Sequence, residues 1–126
     1  MADKKKILVV DDEPDIVQWL TLLFEENGYD AIHAYDGAEG FEKAVAEHPD
    51  LITLDISMDK ESGVKMYSKL LKSENAADIP VVMLTAATPQ LNEFLKRMKV
   101  AKDPEAFLEK PVGDEEVIAT VKKIIG

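Results

Sequence analysis

Short apolar runs alternate along this chain with longer segments whose apolar residues recur at helical spacing, and this alternation constrains the fold more than any other feature. The runs occupy residues 7–10, 31–34, 51–54, 81–84 and 106–108, of which the second and the last are weaker. Continuous rather than alternating apolar character is typical of strands covered on both faces, as in parallel sheets. The sequence therefore predicts a five-stranded parallel sheet.

Five further segments carry apolar residues three or four positions apart, the spacing of amphipathic helices. Trp19 lies beside the first of these stripes and is predicted to pack there. The stripes are Ile16, Val17, Leu20, Leu23 and Phe24; Phe41, Ala44 and Val45; Tyr67, Leu70 and Leu71; Leu91, Phe94, Leu95 and Met98; and Val117, Val121, Ile124 and Ile125. Strands and helices that alternate with right-handed crossovers predict a doubly wound α/β sheet with helices on both faces.

Length and composition limit what such a domain does. With 126 residues and no linker rich in Gly, Pro or Ser, the chain is predicted to be a single domain over residues 1–126. The 15 basic and 25 acidic residues give a net charge of −10, which argues against direct nucleic-acid binding. The chain has no cysteine, which excludes disulfides, thiolate zinc sites and cysteine nucleophiles. Proteins and cations are the expected partners.

The sequence shows no targeting or membrane segment. Only four apolar residues follow the basic run at residues 4–6, which is too short for the core of a signal peptide. No stretch approaches the roughly 20 apolar residues that a membrane-spanning helix needs. We therefore expect a cytoplasmic protein without membrane contact.

Polar residues follow the predicted strands at their carboxyl ends, where doubly wound sheets bind ligands. Asp11 and Asp12 follow the first strand and Asp55 follows the third. Thr85 and Lys110 follow the fourth and the fifth. Three carboxylates at one edge repel each other and favour a bound cation, and an all-oxygen ligand set suits Mg²⁺. These residues predict a magnesium site.

A carboxylate can also attack phosphorus to form an aspartyl phosphate. Asp55 stands alone at the end of the central strand, whereas Asp11 and Asp12 form an adjacent pair that suits a metal ion. Thr85 and Lys110 would then contact the phosphoryl oxygens whose charge must be stabilised during transfer. An alternative is that Asp11, Asp12 and Glu13 merely favour the start of the first helix, where negative charge complements the helix dipole.

Taken together, these residues resemble the response-regulator receiver domain of two-component signalling. The resemblance rests on the sequence of residues 7–13, on Asp36-Gly37, on Asp55 with Met58 and Gly63 at the family's spacing, on Thr85-Ala86 and on Lys110-Pro111. It covers essentially the whole chain. It implies a flavodoxin-like three-layer sandwich with strand order 2-1-3-4-5.

The resemblance also implies roles for individual residues. Asp12 would bind Mg²⁺ directly and Asp11 partly through water, with Asp55 and the backbone carbonyl of Ser57 as further ligands. Asp55 would accept the phosphoryl group from a histidine kinase or a histidine phosphotransfer protein. Phe107 would be the switch aromatic that follows Thr85. The Lys110-Pro111 bond would be a cis peptide.

The resemblance thus predicts a phosphorylation-controlled switch that assists its own phosphorylation and dephosphorylation without being a dedicated enzyme. A haloacid-dehalogenase-type phosphatase would place a second aspartate two residues after the first, where this chain has Ser57. A receiver-like module that never turns over phosphate is the third possibility. Four basic residues occur without an intervening acid (Lys96, Arg97, Lys99 and Lys102). They either complement the dipole at the end of the fourth predicted helix or form a patch for an acidic protein partner downstream.

Overall fold

The protein forms a five-stranded parallel sheet. The computed structural model describes residues 4–55, 60–86, 106–110 and 112–126. The strands are β1 (Lys6–Val10), β2 (Asp30–Ala34), β3 (Leu51–Leu54), β4 (Val81–Ala86) and β5 (Ala106–Lys110). Their order in the sheet is β2-β1-β3-β4-β5, so the predicted order 2-1-3-4-5 is confirmed. The last two strands extend two residues beyond their predicted ends and include Thr85 and Lys110.

Helices cover the sheet. They are α1 (Pro14–Glu26), α2 (Gly37–Glu47), α3 (Lys60–Lys72) and a C-terminal helix (Asp114–Ile125). The predicted helix that contains Leu91 and Met98 lies outside the described residues. Within the part of the chain that the structure describes, no helix has the length and apolar character that crossing a membrane requires.

The core consists of two apolar clusters on opposite faces of the sheet. Along β1, Leu8 and Val10 join one cluster, with Met66 and Tyr67 of α3. The alternate residues of β1 join the other cluster, which also contains the buried stripes of α1 and the C-terminal helix. Strand residues point alternately to the two faces, and here both faces are apolar because both are covered. The predicted three-layer α/β sandwich is therefore confirmed.

The helix ends agree with local sequence signals. Pro14 is the first residue of α1, where a missing N–H costs nothing. Asp36 caps α2 by accepting a 2.8 Å hydrogen bond from the backbone N–H of Glu39. The C-cap of α2 is His48, whose left-handed backbone has a φ of 46°. One expectation for this helix is wrong: Val45 is 37% exposed and lies outside the buried stripe.

Candidate functional site

Two carboxylates are placed side by side at the carboxyl edge of the sheet. Asp11 directly follows β1 and Asp55 directly follows the adjacent strand β3, in which Leu54 pairs with Val10. The backbone N–H of Asp55 donates a 3.0 Å hydrogen bond to the carbonyl of Val10. Both aspartates are only 2% exposed. The parallel pairing of β1 and β3 therefore brings the two buried acids together.

Asp12 and Glu13 complete an acidic cluster with these two residues. One carboxylate oxygen from each of Asp11, Asp12, Glu13 and Asp55 lies within 4.8 Å of the others. Asp12 and Glu13 are exposed, so the cluster opens to solvent on one side. At about 5 Å and an effective dielectric constant of about 20, two carboxylates repel by about 3 kcal/mol. This arrangement strongly favours a cation.

Hydrogen bonds hold part of the cluster in place. The Asp11 Oδ1 atom accepts a 2.9 Å bond from the backbone N–H of Glu13. Glu13 stands at the N-cap of α1, but its side chain makes no capping hydrogen bond. Its carboxylate instead contributes an oxygen to the acidic cluster. The sequence interpretation included Glu13 only as a charge near the helix dipole, although its position next to Asp12 was the available signal.

The donor set fits Mg²⁺. All four groups offer hard carboxylate oxygens, and two of them are buried enough to hold their position while the other two face solvent. Mg²⁺ is usually bound by one or two carboxylates together with water and phosphate oxygens. A site that is half buried and half open matches that coordination. The fourth predicted ligand, the carbonyl of Ser57, lies outside the described residues.

The predicted phosphoryl-binding residues lie on the next two strands. Lys110 pairs with Ala86 at the ends of β5 and β4, and Thr85 is the residue before Ala86. Phe107 pairs with Met83, nearer the middle of the same strands. The topology thus brings the backbones of Thr85 and Lys110 to the sheet edge that carries Asp55. Their side chains, that of Phe107 and the whole of Pro111 lie outside the described part, so these roles stay predictions.

Comparison with known proteins identifies the family. The sequence model of the response regulator receiver domain matches residues 7–122. The chain belongs to this family. Receiver domains are the phosphorylation-controlled switches of two-component signalling, so the predicted family and signalling function are confirmed.

Named relatives are consistent with this assignment. The chain is 40% identical over 121 residues to the alkaline phosphatase synthesis transcriptional regulatory protein PhoP of Bacillus subtilis, covering 96% of this chain and 48% of PhoP. It is 37% identical over 120 residues to the DNA-binding regulator RpaA of Synechocystis, covering 95% of this chain and 48% of RpaA. The receiver domain thus spans about half the length of these two relatives.

Solved structures show the same fold. The chemotaxis protein CheY4 of Vibrio cholerae superposes with a TM-score of 0.83 at 26% identity, with 98% of this chain and 100% of CheY4 covered. The receiver domain of a Francisella response regulator superposes with a TM-score of 0.79 at 30% identity, with 96% of each chain covered. Receiver domains bind Mg²⁺ in an acidic pocket and interact with histidine kinases and downstream effectors, and the acidic cluster of this chain occupies the corresponding edge of its sheet.

Proposed function

We propose that Asp55 accepts a phosphoryl group from a histidine kinase or a histidine phosphotransfer protein. The observation that carries this proposal is the burial of Asp55 within 4.8 Å of the other three acidic groups. An Asp55 carboxylate oxygen would form a bond to phosphorus while the bond from phosphorus to the donor histidine nitrogen breaks, which leaves the histidine neutral after it takes up a proton. The phosphoryl group then changes a protein-binding surface.

The other residues of the site would prepare this transfer. Asp11, Asp12, Asp55 and the carbonyl of Ser57 would hold Mg²⁺, which supplies positive charge to the carboxylates and the incoming phosphoryl oxygens. Thr85 and Lys110 would bind the remaining phosphoryl oxygens, and Phe107 would follow Thr85. A cis Lys110-Pro111 peptide belongs to the same proposal.

On this proposal the chain is a phosphoacceptor that assists its own modification, and residues 1–126 form a single receiver domain. The family assignment to residues 7–122 supports both statements. The sequence also favours the receiver over a haloacid-dehalogenase-type phosphatase. That enzyme has a second aspartate at the position where this chain has Ser57. A receiver-like module without phosphate turnover would share the fold but would not be phosphorylated by acetyl phosphate and Mg²⁺.

The test is phosphorylation by a small-molecule donor. We expect incubation with acetyl phosphate and Mg²⁺ to add the mass of one phosphoryl group to the intact protein. Asp55→Asn, which keeps the shape of the side chain, should abolish the addition, as should EDTA. Asp30→Asn is the matched control because Asp30 is an exposed aspartate at the opposite edge of the sheet. Modification that persists in Asp55→Asn would overturn the proposal.

We further propose that the downstream partner is an acidic protein. The support is the basic stretch with Lys96, Arg97, Lys99 and Lys102 in a chain of net charge −10. These residues lie outside the described part of the structure. Replacing Lys99 and Lys102 with Glu should weaken partner binding and flatten its salt dependence while Asp55 phosphorylation stays normal. Unchanged binding in this double variant would contradict the proposal.

Two further properties of this chain concern nucleic acid and cellular location. We propose that this chain does not bind nucleic acid directly, because its net charge of −10 opposes contact with phosphates. The relative that is named as DNA-binding is about twice as long as this chain. A gel-shift assay at low salt tests this point.

We also propose that the protein is cytoplasmic and does not contact the membrane. Fractionation of cells that express the tagged protein tests this location.

A further inference from the structure

Thr53 is a buried polar residue in the middle of an apolar sheet. It lies in β3, is 2% exposed, and its hydroxyl oxygen has no hydrogen-bond partner among the described residues. Its neighbours on the adjacent strands are Val9 and Val82. A buried hydroxyl without a partner is unfavourable, and most buried polar groups are satisfied. Packing alone therefore does not explain why a hydroxyl is buried at this position.

The position of Thr53 relative to the acidic cluster suggests an explanation. Residues two apart on a strand share a face, so Thr53 and Asp55 belong to the same side of the sheet. The pairing of Val9 with Thr53 also makes Asp11, two residues after Val9, a diagonal neighbour. Thr53 is thus the strand residue that precedes the two buried carboxylates on the same side of the sheet.

The spacing fits contact through one water molecule. Two residues of strand advance the chain by about 6.6 Å, and the side chains span part of that distance. A water that accepts from one group and donates to another joins oxygens up to about 5.6 Å apart. A water between the Thr53 hydroxyl and a carboxylate of the cluster would satisfy the hydroxyl and restrain the carboxylate.

We propose that Thr53 is a positioning residue of the acidic pocket, whose hydroxyl donates through a buried water to the Asp11 and Asp55 carboxylates. The inference rests on the proposed function, because it assumes that these carboxylates hold Mg²⁺. Groups that orient metal ligands from behind commonly change metal affinity 10- to 100-fold when removed. Valine would fill nearly the same volume but would offer the water no donor.

Thr53→Val tests this directly, with Mg²⁺ itself as the probe. We expect calorimetric titration with MgCl₂ to show about tenfold weaker binding than in the wild type. The same variant should melt about 4 °C lower than the wild type in EDTA, because the bridging water and the mutually repelling carboxylates lose a donor. Thr53→Ser keeps the hydroxyl and should retain nearly the wild-type Mg²⁺ affinity.

Thr21→Val is the matched control. The Thr21 hydroxyl is also without a partner among the described residues, but it lies seven residues into α1, about 10 Å along the helix from Pro14. This variant should melt higher with unchanged Mg²⁺ affinity.

Equal Mg²⁺ affinity in the wild type and Thr53→Val would overturn the inference and leave the proposed phosphorylation of Asp55 intact. So would equal weakening in Thr53→Val and Thr53→Ser, because the hydroxyl would then not be the cause. A wild-type protein that does not bind Mg²⁺ would overturn both this inference and the proposed role of the metal. Phosphorylation of Asp55 is read separately from the intact mass.

Discussion

The indole Nε1 of Trp19 donates a 2.6 Å hydrogen bond to the Oδ1 atom of Asp114. This bond joins α1, which begins directly after the acidic cluster, to the first residue of the C-terminal helix. The N-cap of that helix is Gly113, which has no side chain to cap it. The first acidic residue of the helix thus serves an interhelical contact, and it lies only four residues after Lys110.

Breaking this bond should destabilise the protein. We expect Asp114→Ala to lower the free energy of unfolding by about 1 kcal/mol, whereas Asp114→Asn keeps an acceptor oxygen and should lose less. Because Trp19 is the single tryptophan of the chain, its fluorescence should change in Asp114→Ala. Urea unfolding followed by tryptophan emission measures both effects.

Glu115→Ala is the control for this experiment. It removes another acidic residue from the first turn of the same helix and so tests the helix-dipole contribution without touching the Trp19 bond. If Glu115→Ala and Asp114→Ala lower the free energy of unfolding equally, the interhelical bond makes no measurable contribution to stability.

The acidic cluster should lower stability in the absence of a cation. We expect Asp55→Asn to raise the free energy of unfolding in EDTA by about 2 kcal/mol, because it removes one of several mutually repelling carboxylates. Asp12→Asn should raise the free energy of unfolding by less, because Asp12 is exposed and its charge is better screened by solvent. Urea unfolding with and without Mg²⁺ checks this.

Mg²⁺ should stabilise the wild type, because it binds the folded state only. It should stabilise Asp55→Asn much less. A loss of stability on going from the wild type to Asp55→Asn in EDTA would contradict the repulsion that we infer at this site.

Tyr29 should make the protein sensitive to alkali. It is 4% exposed and packs edge-on against Phe24, and burial raises the pKa of its hydroxyl above the ordinary value of 10.0. The unfolded chain therefore loses this proton at a lower pH than the folded protein. The stabilising contribution is complete below pH 10.0 and is lost as the pH rises through the folded-state pKa.

Tyr29→Phe should remove this part of the alkaline unfolding curve, measured by circular dichroism as the pH rises above 10.0. At pH 7 it should leave stability unchanged or raise it by up to about 1 kcal/mol, because the Tyr29 hydroxyl has no partner in the described part of the chain. Tyr35→Phe changes an exposed ring and serves as the control. An unaltered alkaline transition in Tyr29→Phe would contradict the prediction.

Gly40 allows α2 to pack closely against β1 and α3. A Cβ atom at this position would lie 2.8 Å from Met66 Sδ and 3.0 Å from Val10 Cγ2. We expect Gly40→Val to cost about 1–3 kcal/mol of stability, because Met66 and Val10 are almost completely buried and have little room to move. Chemical denaturation measures this loss.

Combining Gly40→Val with Met66→Ala should recover part of the loss relative to Met66→Ala alone. Gly113→Ala is the control, because a Cβ there meets no atom within 4 Å among the described residues. Equal effects at the two glycines would contradict the packing explanation.

Periodicity alone was enough to predict the parallel strands and the helices described here, whereas the strand order was implied by the family resemblance. The apolar runs of β1 and β3 are continuous because both faces of each strand are buried, and the spacing of Val117 and Val121 marks the buried side of the C-terminal helix. These properties are local, since each depends on a few neighbouring residues and on the two faces that they cover. The acidic ends of the strands followed from the same pattern, because parallel strands finish at one edge.

Only the tertiary structure decided how these residues meet. The pairing of β1 with β3 sets Asp11 beside Asp55, and the start of α1 adds Glu13 to the cluster. Trp19 and Asp114 are 95 residues apart, and no local pattern links them. Burial of the Thr53 hydroxyl likewise depends on the strands and helices that surround β3. Side-chain spacing along the chain fixes which face a residue occupies, whereas its partners on other elements depend on strand register and helix packing.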